Sequence, residues 1–286
     1  PFLIVSGDAV CDFDFEKIMQ FHREKESRFT IACRRVREPG EYGLVRVNET
    51  GRISGFSEKP GWNRTDTDLA NTGVYAADPS VLSLIDENGS VDFAADVFPK
   101  ILHADLPFFA MEQEGYWCDI GSPESYKDCH WAVLDGKTAI ELPKKQKDVY
   151  CEGTLPTGSF TIIPPVWFGK GVSVGKDAVI GPYAVVGDGC YIGKGATVRK
   201  SVLQQKVFLG ENTMISDGIL CEGVSVKREC RIFENAVVGA RTVIGEGSSV
   251  AGSVIIDAEK QVAKHSVVSE NIHESTAQPD LLEDGS

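Results

Sequence analysis

From residue 168 onward the apolar positions of this chain recur every six residues. Phe168, Val174, Ile180, Val186, Ile192 and Val198 form one ladder, and Val226, Ile232, Val238, Ile244, Val250, Ile256, Val262 and Val268 form a second. A glycine follows directly at Gly175, Gly181, Gly187, Gly193, Gly239 and Gly245. A small residue stands two places earlier, as at Ala178, Ala184, Cys190, Ala196, Thr213, Ala236, Thr242 and Ser248. A period of six fits neither an amphipathic helix nor a long alternating strand. It predicts short strands on the flat faces of a parallel β-helix, with the aliphatic residue inside and small or polar residues at the corners. Three such hexads make a coil, so 168–268 predicts five to six coils. Hexapeptide repeats imply a left-handed coil, against the usual right-handed crossover. The steps from Val198 to Leu209 and from Ile215 to Val226 are eleven residues each, which predicts a single-residue deletion at a corner and no excursion loop.

The first half is patterned differently. Phe2 to Val5 is an apolar run that ends in Ser6-Gly7-Asp8. Asp14 then caps a predicted helix from Phe15 to Glu26, with Phe15, Ile18, Met19 and His22 on one face and His22 at its rim. Phe29 to Cys33 is a second strand. Strand, helix and strand predict the βαβ unit of a parallel sheet, whose ligands collect at the carboxyl ends of strands, where Asp8 lies. Tyr42 to Val47 and Arg52 to Phe56 alternate as a hairpin around Asn48-Glu49-Thr50-Gly51. Leu69 to Tyr75 is a strand interrupted by the polar Asn71-Thr72, and Asp92 opens a short helix with acids in its first turn.

These patterns divide the 286 residues into an α/β domain at 1–135, a solvated linker at 136–160, a β-helix at 161–270 and a polar tail at 271–286. Composition narrows the partners. A net charge of −13 without a basic run argues against nucleic acid. No apolar stretch approaches the ~20 residues of a membrane span. The eight cysteines are scattered singly, without a CxxC pair or zinc spacing, as reduced core residues of a cytoplasmic protein would be. The apolar run directly after Pro1 reads as a central strand, which predicts an amino-terminal segment upstream.

Six motifs occur in order: Ser6-Gly7-Asp8, Tyr42-Gly43, Phe56-Ser57-Glu58-Lys59-Pro60, Asn71-Thr72-Gly73-Val74-Tyr75, Asp96-Val97-Phe98-Pro99 and Trp117-Cys118-Asp119-Ile120-Gly121-Ser122-Pro123. Together they resemble the sugar-1-phosphate nucleotidyltransferase family. The likeness is strongest to mannose-1-phosphate guanylyltransferases, including bacterial forms fused to a phosphohexomutase, and an appended hexapeptide helix is a habit of that family. The resemblance implies a Rossmann-like nucleotidyltransferase domain, here partial, that joins a nucleoside triphosphate to a sugar 1-phosphate with release of pyrophosphate. Two anions must be brought together, which calls for a cation. Magnesium takes one or two carboxylates plus phosphates, and the resemblance assigns Asp8 and Asp119 to it. The same resemblance gives Lys59 the phosphate of the sugar, Glu58 the sugar hydroxyls, and Gly43 and Asn71 the sugar ring.

One departure stands out. The family's glycine-rich loop, G-x-G-T-R-L followed by proline and lysine, does not occur in residues 1–286. The chain therefore carries the sugar and metal sides of such a site without its nucleotide side. That predicts negligible transfer by this polypeptide alone, as a portion of an active enzyme or as a degenerate, regulatory homologue that binds sugar phosphates. A hexapeptide acyltransferase is the rival enzyme class, but His265 is the one histidine within the repeats and no loop projects there. A flat-faced solenoid also predicts a homo-oligomer formed through the β-helix.

Overall fold

The computed structural model describes residues 1–58, 66–85 and 89–273, residues 144 and 145 by backbone alone. Lys59 and the tail beyond His273 lie outside the described residues. The chain divides into two units, Pro1–Gly121 and Ser122–Ser286.

In the first unit, β1 (Phe2–Val5), β2 (Ala9–Cys11), α1 (Phe15–Glu24), β3 (Phe29–Arg35), β4 (Leu44–Val47), β5 (Ile53–Ser57), β6 (Leu69–Ala77), α2 (Phe98–His103), β7 (Phe108–Glu112) and β8 (Trp117–Asp119) follow in order. The Asp14 carboxylate accepts the Lys17 N–H at 3.0 Å, which caps α1 as predicted. The α/β class stands, but the simple parallel neighbourhood of β1 and β3 does not. Both pair antiparallel with β6, which lies between them, while β3 pairs parallel with β7. The nine-residue, largely buried β6 is long enough to take β3 along one edge and both β1 and β4 along the other. Beneath the sheet, Phe29 meets Tyr75, Phe93, Phe98 and Phe108 at ring separations of 5.3 to 5.8 Å. Edge and tilted contacts of this kind add to the area the rings bury.

His22 is not at a rim. Its side chain is buried and its Nδ1 lies 2.9 Å from Thr30 Oγ1. Burial lowers its pKa, because the charged imidazolium would lose its water.

The second unit opens with α3 (Pro123–Leu134), capped by Ser122, and continues into the solenoid. Its three faces are sheets of eight, seven and six strands, all parallel except Lys144–Gln146, the antiparallel eighth strand of the first. The seven-stranded face shows seven rungs rather than five or six, because Thr161–Ile162, ahead of the six-residue ladder, already forms one. Strand Val149–Cys151, within the stretch expected as a connector, pairs parallel with Val166–Phe168. Ladder residues Phe168, Ile180, Val186, Ile192, Val198, Val226, Val238, Ile244 and Val250 are wholly buried.

The reason for the glycine is direct. At Gly245 an added Cβ would stand 2.6 Å from Lys264 N in the next coil. Small residues serve the corners through their polar atoms: Thr242 Oγ1 donates to Asp257 O and Ser248 Oγ to Ala263 O, both at 2.9 Å.

Rungs are eighteen residues apart from Ile162 through Ile180 to Val198, but seventeen from Val198 through Ile215 to Ile232. The missing residue falls at the corners near Lys200 and Asp217. There the buried Ser201 hydroxyl accepts the Gly218 N–H at 3.1 Å and donates to Arg199 O. No loop leaves the coil at either place.

Candidate functional site

Four segments of the first unit converge through backbone hydrogen bonds. Asn71 N–H donates to Gly43 O at 2.8 Å, Ser6 N–H to Gly73 O at 2.9 Å, and Ile120 N–H to Asp8 O at 2.9 Å. The antiparallel ribbon of β2 and β8 sets Ala9 opposite Asp119. Asp8 and Asp119, 111 positions apart, are thereby adjacent along one short ribbon. Asp8 does follow a strand of the main sheet, as expected; Asp119 belongs to the ribbon instead.

Local chemistry accounts for each placement. Ser6 Oγ donates to Asp8 Oδ1 at 2.5 Å and holds the exposed carboxylate against the turn. Asp12 brackets the ribbon's other end: its N–H donates to Tyr116 O at 3.1 Å and its carboxylate accepts Tyr116 N–H at 2.5 Å. Asn71 is spent on its own strand, its Oδ1 accepting Gly73 N–H and its Nδ2 donating to Tyr75 Oη, both at 3.1 Å. Burial pushes the Tyr75 hydroxyl up to about 12, so it stays protonated. Glu58 is exposed and lies against Gly43, where an added Cβ would stand 2.7 Å from Glu58 Oε2 and 2.8 Å from the Phe56 ring. Glycine at 43 is therefore a matter of close approach rather than of turn geometry.

Tyr42 leans on Trp117 at a ring separation of 5.2 Å. Its pKa is raised by burial first, then by the carboxylates of Glu41 and Asp119 nearby. The cluster is thus strongly acidic. Among the described residues no group of three or more His, Cys, Asp or Glu could hold a metal ion. Asp8 and Asp119 are both exposed and offer carboxylate oxygens, the donor type that magnesium takes.

Of the residues singled out from sequence, Asp8, Gly43, Glu58, Asn71 and Asp119 lie on these converging segments, and Lys59 is outside the described residues. Sequence reasoning missed Ser6, Thr72 and Trp117 as the pieces that join the segments. The polar, small Thr72-Gly73 inside an apolar strand was the available signal.

Residues 1–136 match the family model described as Nucleotidyl transferase, and residues 162–276 match that of the GMPPB C-terminal domain. The chain is similar to the mannose-1-phosphate guanylyltransferase catalytic subunit beta of Drosophila pseudoobscura pseudoobscura, 32% identical over 174 residues, 61% of this chain and 44% of that protein. It is also similar to the UTP–glucose-1-phosphate uridylyltransferase of Synechocystis sp., 30% identical over 259 residues, 90% of this chain and 58% of that one. A probable mannose-1-phosphate guanylyltransferase 3 of Oryza sativa subsp. japonica is 29% identical over 268 residues, 92% of this chain and 64% of its own. The chain spans about half the length of the curated relatives it matches. No helix among the described residues is long and apolar enough to cross a membrane.

Proposed function

The chain belongs to the sugar-1-phosphate nucleotidyltransferase family, and from that premise we propose that the protein transfers a nucleotidyl group from a nucleoside triphosphate to a hexose 1-phosphate. Mannose 1-phosphate and GTP are the favoured pair, because the C-terminal match and two of the relatives above are of guanylyltransferase type. The observation that carries the reading is the ribbon that sets Asp8 beside Asp119, next to the strand that bears Asn71.

In the proposed reaction the sugar phosphate oxygen attacks the α-phosphorus in line and pyrophosphate leaves, without a covalent enzyme intermediate. A magnesium ion between Asp8 and Asp119 would supply positive charge to the phosphates. The chain's own part is to orient. The backbone at Gly43, with Glu58 and Phe56 close against it, would meet the sugar ring, Glu58 would accept hydrogen bonds from sugar hydroxyls, and Asn71, already bonded to Gly73 and Tyr75, would offer the ring its second amide hydrogen. Lys59, as a flexible point charge, would meet the sugar phosphate. The proposal extends to a homo-oligomer formed through the solenoid and to work in the cytoplasm, where single cysteines stay reduced.

The test is pyrophosphate release by the protein expressed from its complete reading frame, with each nucleoside triphosphate and with mannose or glucose 1-phosphate. The expected outcome is magnesium-dependent turnover, fastest with GTP and mannose 1-phosphate. Binding of sugar phosphate without turnover under every combination would sink the transfer reading and leave a regulatory homologue.

A further inference from the structure

The interruption in β6 is a β-bulge with a specific use. Ala32 of β3 stands opposite Val74, but the next residue, Cys33, stands opposite Asn71, so Thr72 and Gly73 have no partner in that ladder. Gly73 takes φ +75°, and an added Cβ would stand 2.8 Å from Ser6 Cβ. The buried Thr72 hydroxyl returns to the sheet by donating to Ala32 O at 2.7 Å. Two carbonyls then point away from the ladder, and each receives a donor from the segments that carry the acids. Gly73 O accepts Ser6 N–H at 2.9 Å. Thr72 O accepts the Trp117 indole N–H at 3.0 Å.

The second bond matters because the ribbon of β2 and β8 makes no strand pairing with the six-stranded sheet. Trp117 and Asp119 are two residues apart on β8, so they share one face. The same indole packs on the cluster of Phe13, Ile18, Ala32, Val74 and Ala76. A half-buried indole seeks a partner for its N–H, and here the partner exists only because the strand bulges. Bulges recur beside active sites, where they re-aim what the strand presents.

We propose that Trp117 is a positioning residue, its indole N–H keyed to the Thr72 carbonyl so that Asp119 is set against the strand bearing Asn71. This rests on the transfer reading above for its kinetic consequence. Its geometric consequence, the affinity of the acid pair for a divalent cation, can be read without turnover.

The decisive variant replaces Trp117 by benzothienylalanine, which keeps the bicyclic ring and removes the N–H. It is made in the protein expressed from its complete reading frame and compared with Trp117→Phe. In the isosteric variant the thermal midpoint and the KM for hexose 1-phosphate should stay close to those of the parent. kcat should fall roughly 3- to 10-fold, the scale of one hydrogen bond, and half-saturating magnesium should rise. Trp117→Phe, which also loses ring volume, should cost about 100-fold in kcat through misplacement. Manganese affinity by electron paramagnetic resonance should weaken in both variants. If the isosteric protein keeps the parent's manganese affinity and kcat, or loses thermal midpoint with unchanged cation affinity, the proposal is overturned. Absence of turnover in the parent defeats the transfer reading instead, and the manganese titration still decides the role of Trp117.

Discussion

The two units of this chain meet the same requirement, burial of apolar surface, by opposite means. In the solenoid each coil touches only its neighbours, and a rung such as Ile215 rests on Val198 and Ile232 at one repeat distance. In the first unit single residues act as hubs: Phe98 meets Phe29, Phe56, Tyr75, Phe93 and Phe108, which come from five different segments. A nearest-neighbour stack distributes its stability in increments, whereas a hub makes the unit cooperative. The segments that carry the proposed site residues are those joined by long-range convergence. Thr242 and Ser248 of the solenoid spend their hydroxyls on closing corners, while the first unit brings Asp8 and Asp119 to adjacent places along one ribbon.

The sharpest way to break this contrast is at the acids. Asp119→Asn should reduce turnover by about 1,000-fold while leaving the fold intact, since a cation-held phosphate is worth several kcal/mol. Steady-state kinetics alongside circular dichroism would check this, and near-parental kcat would remove Asp119 from the chemistry.

A smaller effect separates the two packing modes. Ile232→Ala in the solenoid should cost about 3 kcal/mol, and hydrogen exchange should show the loss in adjoining coils only. Uniform deprotection of the whole solenoid would contradict the nearest-neighbour picture.

Lys127 tests where the solenoid departs from the repeat. Its buried ammonium, on α3, donates to Asp217 Oδ1 and Asn235 Oδ1, each at 2.6 Å, on two successive corners in left-handed conformation. Lys127→Met should cost about 2 kcal/mol, less than a fully buried pair would, because the Asp217 side chain remains 28% exposed. A melting temperature equal to the parent's would mean the contact is incidental.

The smallest effect is electrostatic and lies in the first unit. Hydrogen bonds from Ser80, then the nearby Arg28, hold the Asp78 carboxyl down at about 2, below its ordinary 3.8. A depressed carboxyl contributes its stability above the unfolded value, and that contribution is lost as pH falls from about 4 to about 2. Comparing Asp78→Ala with the parent across that window should show a difference that closes toward pH 2. A gap that stays constant would assign the effect to something other than the carboxylate.

Legibility followed the same division. Ladder, glycine and corner positions of the solenoid were readable because each answers to a neighbour at a constant separation. Even the shortened corners at Lys200 and Asp217 showed as eleven-residue steps. In the first unit the helix cap at Asp14 and the hairpin around Asn48 were equally readable, being local. The insertion of β6 between β1 and β3 was not, because strand order depends on partners 34 or more residues away. His22 was misplaced for the same reason: its burial depends on Thr30 and the sheet above it, not on its own helix.

What the chain determines by itself is therefore the solenoid's repeat, the local caps and turns, and the motifs that mark the family. A side chain's periodicity and propensity act over a few residues and leave a trace in order. The tertiary structure decided which strand lies beside which. It also turned Thr72-Gly73 into a bulge rather than a break, and it placed Asp8 next to Asp119. Those outcomes depend on hydrogen bonds closed across long loops, whose geometry no stretch of sequence encodes alone.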